Sequence, residues 1–143
     1  MVTGGWDWTL EERRYHVASI KNIQKEGKIN PICIIECGIR EEQISELEKI
    51  RDIYHYLGLE VSILQNSSLV NSLNNIYLTD LDTAKGFEFS IVIISSCSSL
   101  KIPSISLPKE EYWREARRLY VAMTRARDEL YFTFTQSLQS FFC

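Results

Sequence analysis

The sequence lacks most of the short signatures that mark a self-contained enzyme. No GxxxxGK[ST] phosphate loop occurs, because Gly4-Gly5, Gly27-Lys28 and Gly86 stand in other company. The GxSxG elbow, the HExxH helix and the GxGxxG turn are missing as well. A mononucleotide site complete within this chain is therefore not expected. Positive charge is not in excess either: 16 Lys+Arg against 19 Asp+Glu give a net charge of −3 and a pI of 5.4. Affinity for nucleic acid comes largely from neutralising phosphates, so contact with DNA here requires a local basic patch or a partner domain. No apolar run approaches the ~20 residues of a membrane helix. The segment Met1–Asp7 has neither the basic nor the apolar region of a signal peptide. The expectation is a cytoplasmic chain with no membrane partner. With two histidines and no CxxC pair among four cysteines, no metal site is expected. Cys33 and Cys97 sit inside apolar runs, Cys37 ends one, and Cys143 is the last residue. All four read as reduced and structural, in a compartment where disulfides are rare.

What is present is globular in proportion. The chain has 143 residues, 45% hydrophobic and 24% charged, which suits a single domain over residues 1–143. Thr9-Leu10-Glu11-Glu12 has the pattern of a capping box and predicts a helix start. Val17, Ile20 and Ile23 follow at helical spacing, and Gly27 is the expected stop. Ile32-Cys33-Ile34-Ile35 is continuously apolar and β-branched, as a strand buried on both faces would be. Glu41 to Leu57 carries a helical stripe ended by Gly58, and Val61–Leu64 predicts a second strand. Ser67–Leu73 is ambiguous between a short helix and a turn. Asn75–Thr79 and Glu88–Ser95 predict a third and a fourth strand joined by a loop, and Ser95–Ser106 reads as a Ser-rich loop. Glu110–Arg127 predicts a helix, with Leu119 and Ala122/Met123 on its apolar face, and Glu129–Thr135 a fifth strand. Strands alternating with helices define an α/β layer fold with a mostly parallel sheet.

Two stretches carry chemistry. Thr83-Ala84-Lys85-Gly86-Phe87-Glu88-Phe89 leads straight into the buried Ile91–Ile94 strand. It places a lysine, a glycine and a glutamate at a sheet edge, where α/β proteins bind ligands. Taken alone it reads as an ordinary loop whose Gly86 serves a positive φ. Arg117-Arg118-Leu119-Tyr120-Val121-Ala122-Met123-Thr124-Arg125-Ala126-Arg127 gathers four arginines, the residue suited to bidentate recognition of phosphate. Taken alone it reads as a solvated helix paired with Glu110, Glu111, Glu115, Asp128 and Glu129.

Together and in this order, the two stretches resemble motifs V and VI of the UvrD/Rep/PcrA family of superfamily-one DNA helicases. Lys85-Gly86-Phe87-Glu88-Phe89 matches the first motif, and Glu115 to Arg127, followed by Asp128-Glu129-Leu130-Tyr131-Phe132, matches the second. The resemblance implies a carboxy-terminal RecA-like three-layer domain, the second motor lobe of a helicase. It implies a partner phosphate-loop lobe, in the same protein or a separate chain, which holds ATP and supplies the Mg²⁺ site. Arg125 matches the arginine that reaches the γ-phosphate, Glu88 the acid near the ribose, and Gly86 the glycine at the cleft edge. Thr83 and Lys85 fall on the motif V stretch that faces the DNA strand. An arginine finger contributes ~10³–10⁵ in rate in well-studied phosphoryl-transfer enzymes.

Two departures bear on that reading. Asp80 and Asp82 stand where the family carries a threonine and a histidine, and a carboxylate beside a phosphate backbone is repulsive. The Q-N-Y-R-S run of motif IV does not occur. Binding to single-stranded DNA is therefore expected to be weak. The alternative reading is a non-catalytic interaction module derived from a helicase lobe.

Overall fold

Ile32-Cys33-Ile34-Ile35 shows no alternation because its strand, β1 (Ile32–Glu36), lies at the centre of a five-stranded sheet and is covered on both faces. The computed structural model describes residues 3–27, 31–37, 44–64, 76–95 and 108–133. β1 pairs in parallel with β3 (Ile76–Asp80) on one side and β4 (Phe89–Ser95) on the other. Ile32 stands opposite both Ile76 and Ile91, and Glu36 opposite both Asp80 and Ser95. β2 (Ser62–Ile63) and β5 (Ala126–Phe132) form the edges, giving the order β2-β3-β1-β4-β5 with every pair parallel.

The two-residue period of a strand divides these side chains between two cores. Ile32, Ile34, Ile76, Leu78, Ile91 and Ile93 pack with Val17, Ile20 and Ile23 of α1 (Thr3–Lys25) and with Leu47 and Tyr54 of α2 (Ile44–Tyr56). Cys33, Ile35, Tyr77, Val92 and Ile94 face the other way, onto Leu81 and Ala84 of α3 (Leu81–Ala84) and Leu119 and Ala122 of α4 (Lys109–Met123). The result is helix, sheet, helix: the expected RecA-like three-layer α/β domain. Cys33 and Cys37 are buried, and burial pushes the Cys33 thiol up. Cys97 and Cys143 lie outside the described residues, as do the Ser67–Leu73 segment and the loop expected beyond Ser95. Among the described residues no helix is long and apolar enough to cross a membrane.

Both glycine stops hold. Gly27 and Gly58 adopt φ of 78° and 95°, a region costly for any side chain. At Gly58 the Leu59 amide donates to Tyr54 O at 2.9 Å and the Gly58 amide to His55 O at 3.0 Å. That is the Schellman pattern, and it closes the last turn of α2.

Several elements differ from expectation. α1 begins at Thr3 and runs through the capping-box sequence rather than starting there. The stretch between β3 and β4 is not all loop, since α3 makes one turn in it. The helix expected over Glu110–Arg127 ends at Met123, and β5 starts at Ala126, earlier than the expected Glu129. Thr124 and Arg125 therefore form a turn. The Thr124 hydroxyl donates to Val121 O at 2.7 Å, competing with helix continuation. The Phe89 amide meanwhile donates to Arg125 O at 2.9 Å and draws the chain into the sheet. This turn sits at the amino ends of β4 and β5, where Phe89 faces Ala126.

Candidate functional site

The segment joining β3 to β4 starts from a buried acid. Asp80 is 1% exposed and caps α3, accepting from the Asp82 and Thr83 amides at 3.2 and 3.3 Å. Such a cap satisfies amides that a helix start leaves free. Asp82 follows on the surface of α3 and is held by Arg118 of α4 through two parallel bonds. Arg118 Nε donates to Oδ1 at 2.9 Å and Nη2 to Oδ2 at 2.8 Å. The third guanidinium nitrogen, Nη1, donates to Glu115 Oε2 at 2.6 Å. Partial burial acts to lower the Arg118 pKa, but its bonds to Asp82 and the charges of Asp82 and Glu115 reverse this and raise it. The expectation of two acids repelling a strand is corrected here. Asp80 is spent on a cap, and Asp82 is neutralised by Arg118.

The remaining residues singled out in the sequence fall into two groups. Thr83 is buried at 9% exposure, so the chain alone presents little of it. Lys85, Gly86 and Glu88 are exposed around the turn after α3. Gly86 does not have the positive φ that the loop reading assigned to it, and a Cβ there would meet nothing nearer than Thr83 O at 3.9 Å. Local packing does not require this glycine.

Arg125 is half-buried in the turn after α4. Its Nε donates to Val121 O, Nη1 to Lys85 O and Nη2 to Thr124 Oγ1, each at 3.3 Å. All three acceptors are uncharged, so no carboxylate among the described residues offsets the guanidinium charge. The bond to Lys85 O brings the two sequence motifs together at one place. That place is the amino end of β4 and β5, and not the carboxyl end of the sheet, where α/β folds ordinarily bind ligands by themselves. Arg125 and Arg118, seven apart, do not share a helix face, because α4 has ended between them.

Sequence reading missed two features. The first is a basin of about 240 Å³ between α3 and α4, lined by Leu81, Asp82, Lys85, Arg114, Arg117, Arg118 and Val121. Arg114 was not singled out, although its spacing from Arg117 and Arg118 places all three along one flank of a helix. The second is a buried polar network at the carboxyl ends of β1, β4 and β5. Arg13 of α1, 2% exposed, grips Glu36 with Nη1 and with Nη2 (the latter at 2.8 Å). Nη1 also donates to Ser95 Oγ at 2.8 Å and to Tyr54 OH at 3.1 Å. Burial acts to raise the Glu36 carboxyl pKa, but the charge and hydrogen bonds of Arg13 outweigh this and leave it lowered. His16 joins Tyr54 OH through Nδ1 at 2.6 Å and Thr133 Oγ1 through Nε2 at 2.7 Å. Burial first, then the charge of Arg13, pushes the imidazole down to about 4. The crevice at these strand ends is thus filled by the chain's own α1.

A three-layer domain of this topology, with its polar motifs meeting at the amino ends of two strands, is a RecA-like lobe. The chain belongs to the UvrD-like helicase C-terminal domain family, whose profile matches residues 8–137. It is 40% identical over 78 residues to the ATP-dependent DNA helicase Rep of Buchnera aphidicola subsp. Schizaphis graminum, a match covering 52% of this chain and 12% of that protein. It is 27% identical over 106 residues to DNA helicase II of Rickettsia typhi, covering 71% of this chain and 16% of the relative. The chain therefore spans less than a fifth of the length of these relatives. The crystal structure of the C-terminal domain of a possible DNA helicase from Lactobacillus plantarum WCFS1 superposes with a TM-score of 0.55 at 21% identity, covering 82% of this chain and 65% of that one. That likeness is one of fold.

Proposed function

We propose that this chain works as the second motor lobe of an ATP-dependent DNA helicase or translocase, closing on ATP held by a phosphate-loop lobe. The observation that carries the reading is the state of Arg125: a half-buried guanidinium, aimed by three neutral acceptors, with no carboxylate partner among the described residues. Five N–H donors are available to it, and three are engaged. In this reading the remaining donors and the uncompensated charge meet the γ-phosphate, whose transfer depends on positioning and charge stabilisation. Glu88 and Gly86 border the nucleotide from the same turn, Glu88 toward the ribose and Gly86 where a side chain would intrude. ATP, with Mg²⁺ held by the other lobe, is the ligand that fits this donor set: cationic, backbone-lined and lacking any phosphate cradle of its own. Lys85 and Thr83 follow the motif V stretch toward the DNA strand.

The test is Arg125→Ala in the chain assembled with a competent phosphate-loop lobe. ATP turnover should fall by about 10³-fold or more, nucleotide binding should change far less, and the melting temperature of the isolated variant should stay close to that of the parent. The unmodified chain alone should show no ATP hydrolysis. Unchanged turnover by the assembled Arg125→Ala variant would overturn the assignment and favour a non-catalytic interaction module derived from a helicase lobe.

A further inference from the structure

The three acceptors of Arg125 do not carry equal weight in placing it. Val121 O and Thr124 Oγ1 belong to the end of α4 that bears Arg125 itself, so they move with it. Of the three, only Lys85 O comes from another element. Lys85 is the C-cap of α3, and a carbonyl at a helix end has no partner within its own helix. The direction of the guanidinium relative to the turn bearing Gly86 and Glu88 is therefore set by how α3 lies on α4.

Two contacts hold α3 there, and they differ in kind. Leu81 and Ala84 pack with Leu119 and Ala122 in one core. Apolar burial is non-directional, so it fixes the spacing of the helices and does little to stop a one-turn element from rolling on its buried edge. Asp82 supplies the missing direction. It is the only charged residue of α3, and Arg118 meets its carboxylate with two parallel bonds at 2.9 and 2.8 Å. Such a fork fixes angle as well as distance. Glu115 holds a third nitrogen of Arg118 at 2.6 Å, so the fork starts from a side chain already tethered to α4.

We propose that Asp82 and Arg118 are positioning residues for Arg125: their fork sets the roll of α3 on α4, and with it the place of the Lys85 carbonyl that aims the guanidinium. The proposal rests on the reading of Arg125 as the group that meets the γ-phosphate. Neither residue touches the nucleotide in this scheme, and both act through Lys85 O. Misplacing a reacting group by about 1 Å costs about 10²-fold in rate, against about 10³-fold or more for losing an arginine finger outright.

The experiment has two arms. In the 143-residue chain, NMR of the labelled Arg125 guanidinium nitrogens follows rotation about the Nε–Cζ bond, which hydrogen-bonded Nη groups slow. Asp82→Ala should speed that rotation about threefold or more. Asp82→Asn should speed it less, because an amide oxygen still accepts one bond. Ile93→Val, a destabilising change in the core on the opposite face of the sheet, should leave it as in the parent. In the chain assembled with a competent phosphate-loop lobe, Asp82→Ala should lower kcat about 10–10²-fold while KM for ATP changes less than about twofold. In an Arg125→Ala background it should lower kcat no further, having nothing left to position. Arg118→Lys, which keeps the charge and loses the fork, should fall short of the parent in both arms, and Ile93→Val should keep the parent kcat. Unchanged rotation in Asp82→Ala overturns the proposal, as does a kcat loss of equal size with and without the Arg125 side chain. Unchanged turnover in Arg125→Ala overturns the motor reading instead, and the rotation arm then decides whether Asp82 holds Arg125.

Discussion

Arg118 and Arg125 are the same residue type, seven positions apart, and the structure gives them opposite roles. Arg118 is committed: Asp82 takes two of its nitrogens and Glu115 the third. Arg125 bonds only neutral oxygens among the described residues, and in the proposed motor its charge would meet the γ-phosphate. The residue types of the candidate site were legible in the sequence, because phosphate chemistry restricts what can serve there. Their commitments were not, since whether a charge is available depends on which carboxylate lies across the helix pair. Asp82 and Arg118 are 36 residues apart in the chain, and no local pattern reports that distance. Gly86 makes the same point in reverse. Its φ is not left-handed and an added Cβ would sit at ordinary contact distance. Gly86→Ala should therefore leave the melting temperature unchanged or raise stability by up to about 1 kcal/mol through loss of unfolded-state entropy. In the assembled motor it should weaken nucleotide binding, since the new methyl group would stand at the cleft edge. A clearly destabilised Gly86→Ala variant, or one with unaltered nucleotide affinity, would remove Gly86 from the site.

Among the elements, the buried strands were the most legible and the ends of helices the least. β1 and β4 announce themselves because a strand covered on both faces must be apolar at every position, a pattern few other elements share. The end of α4 was misplaced for an equally physical reason. Ala126 and Arg127 are good helix formers by propensity, yet pairing of β5 with β4 outcompetes a local preference of a few tenths of a kcal/mol per residue. The start of α1 was missed because Thr3-Gly4-Gly5 is a poor helical sequence. The Asp82–Arg118 pair, whose side chains are 36% and 18% exposed, adds a polar link to the apolar packing of α3 and α4 in one core. Removing a carboxylate from a partly buried bidentate pair should cost about 1–2 kcal/mol, less than a fully buried one would. Asp82→Ala should thus lower the melting temperature by about 3–8 °C. Because the pair needs both partners, the loss should be largely absent when Asp82→Ala is made in an Arg118→Ala background. Additive losses in that double-mutant cycle would show that the pair does not couple the two helices.

For the molecule as a whole, the buried network ties α1 to four other parts, since Arg13 and His16 of α1 reach β1, α2, β4 and the residue after β5. Its proton arrangement follows from donor counting. The single Thr133 hydroxyl proton goes to Glu12 at 2.7 Å, so His16 Nε2 must donate to Thr133. Nδ1 is then unprotonated and accepts from Tyr54 OH, which itself accepts from Arg13 Nη1. A proton added to Nδ1 would collide with the Tyr54 proton and stand beside the Arg13 charge, which is the physical content of an imidazole lowered to about 4. The sign of the consequence is fixed. Unfolded His16 takes up a proton near pH 6.5 while folded His16 resists until about 4, so stability is complete above 6.5 and declines as pH falls through that window. The decline attributable to His16 reaches about 3 kcal/mol. Glu36, lowered from 4.5, adds to it in the same direction once unfolded carboxylates begin to protonate below pH 4.5. Urea unfolding at pH 7.5, 5.5 and 4.5 should therefore show a falling midpoint. His16→Leu, less stable overall because Tyr54 and Thr133 lose a partner, should show a flatter dependence between pH 6.5 and 4.5. Glu36→Gln, which strands the Arg13 charge inside the fold, should cost about 3–5 kcal/mol at neutral pH. A parent chain equally stable at pH 7.5 and pH 4.5 would mean that His16 is not held neutral by this network, and that the hydrogen-bond order from Arg13 to Glu12 is wrong.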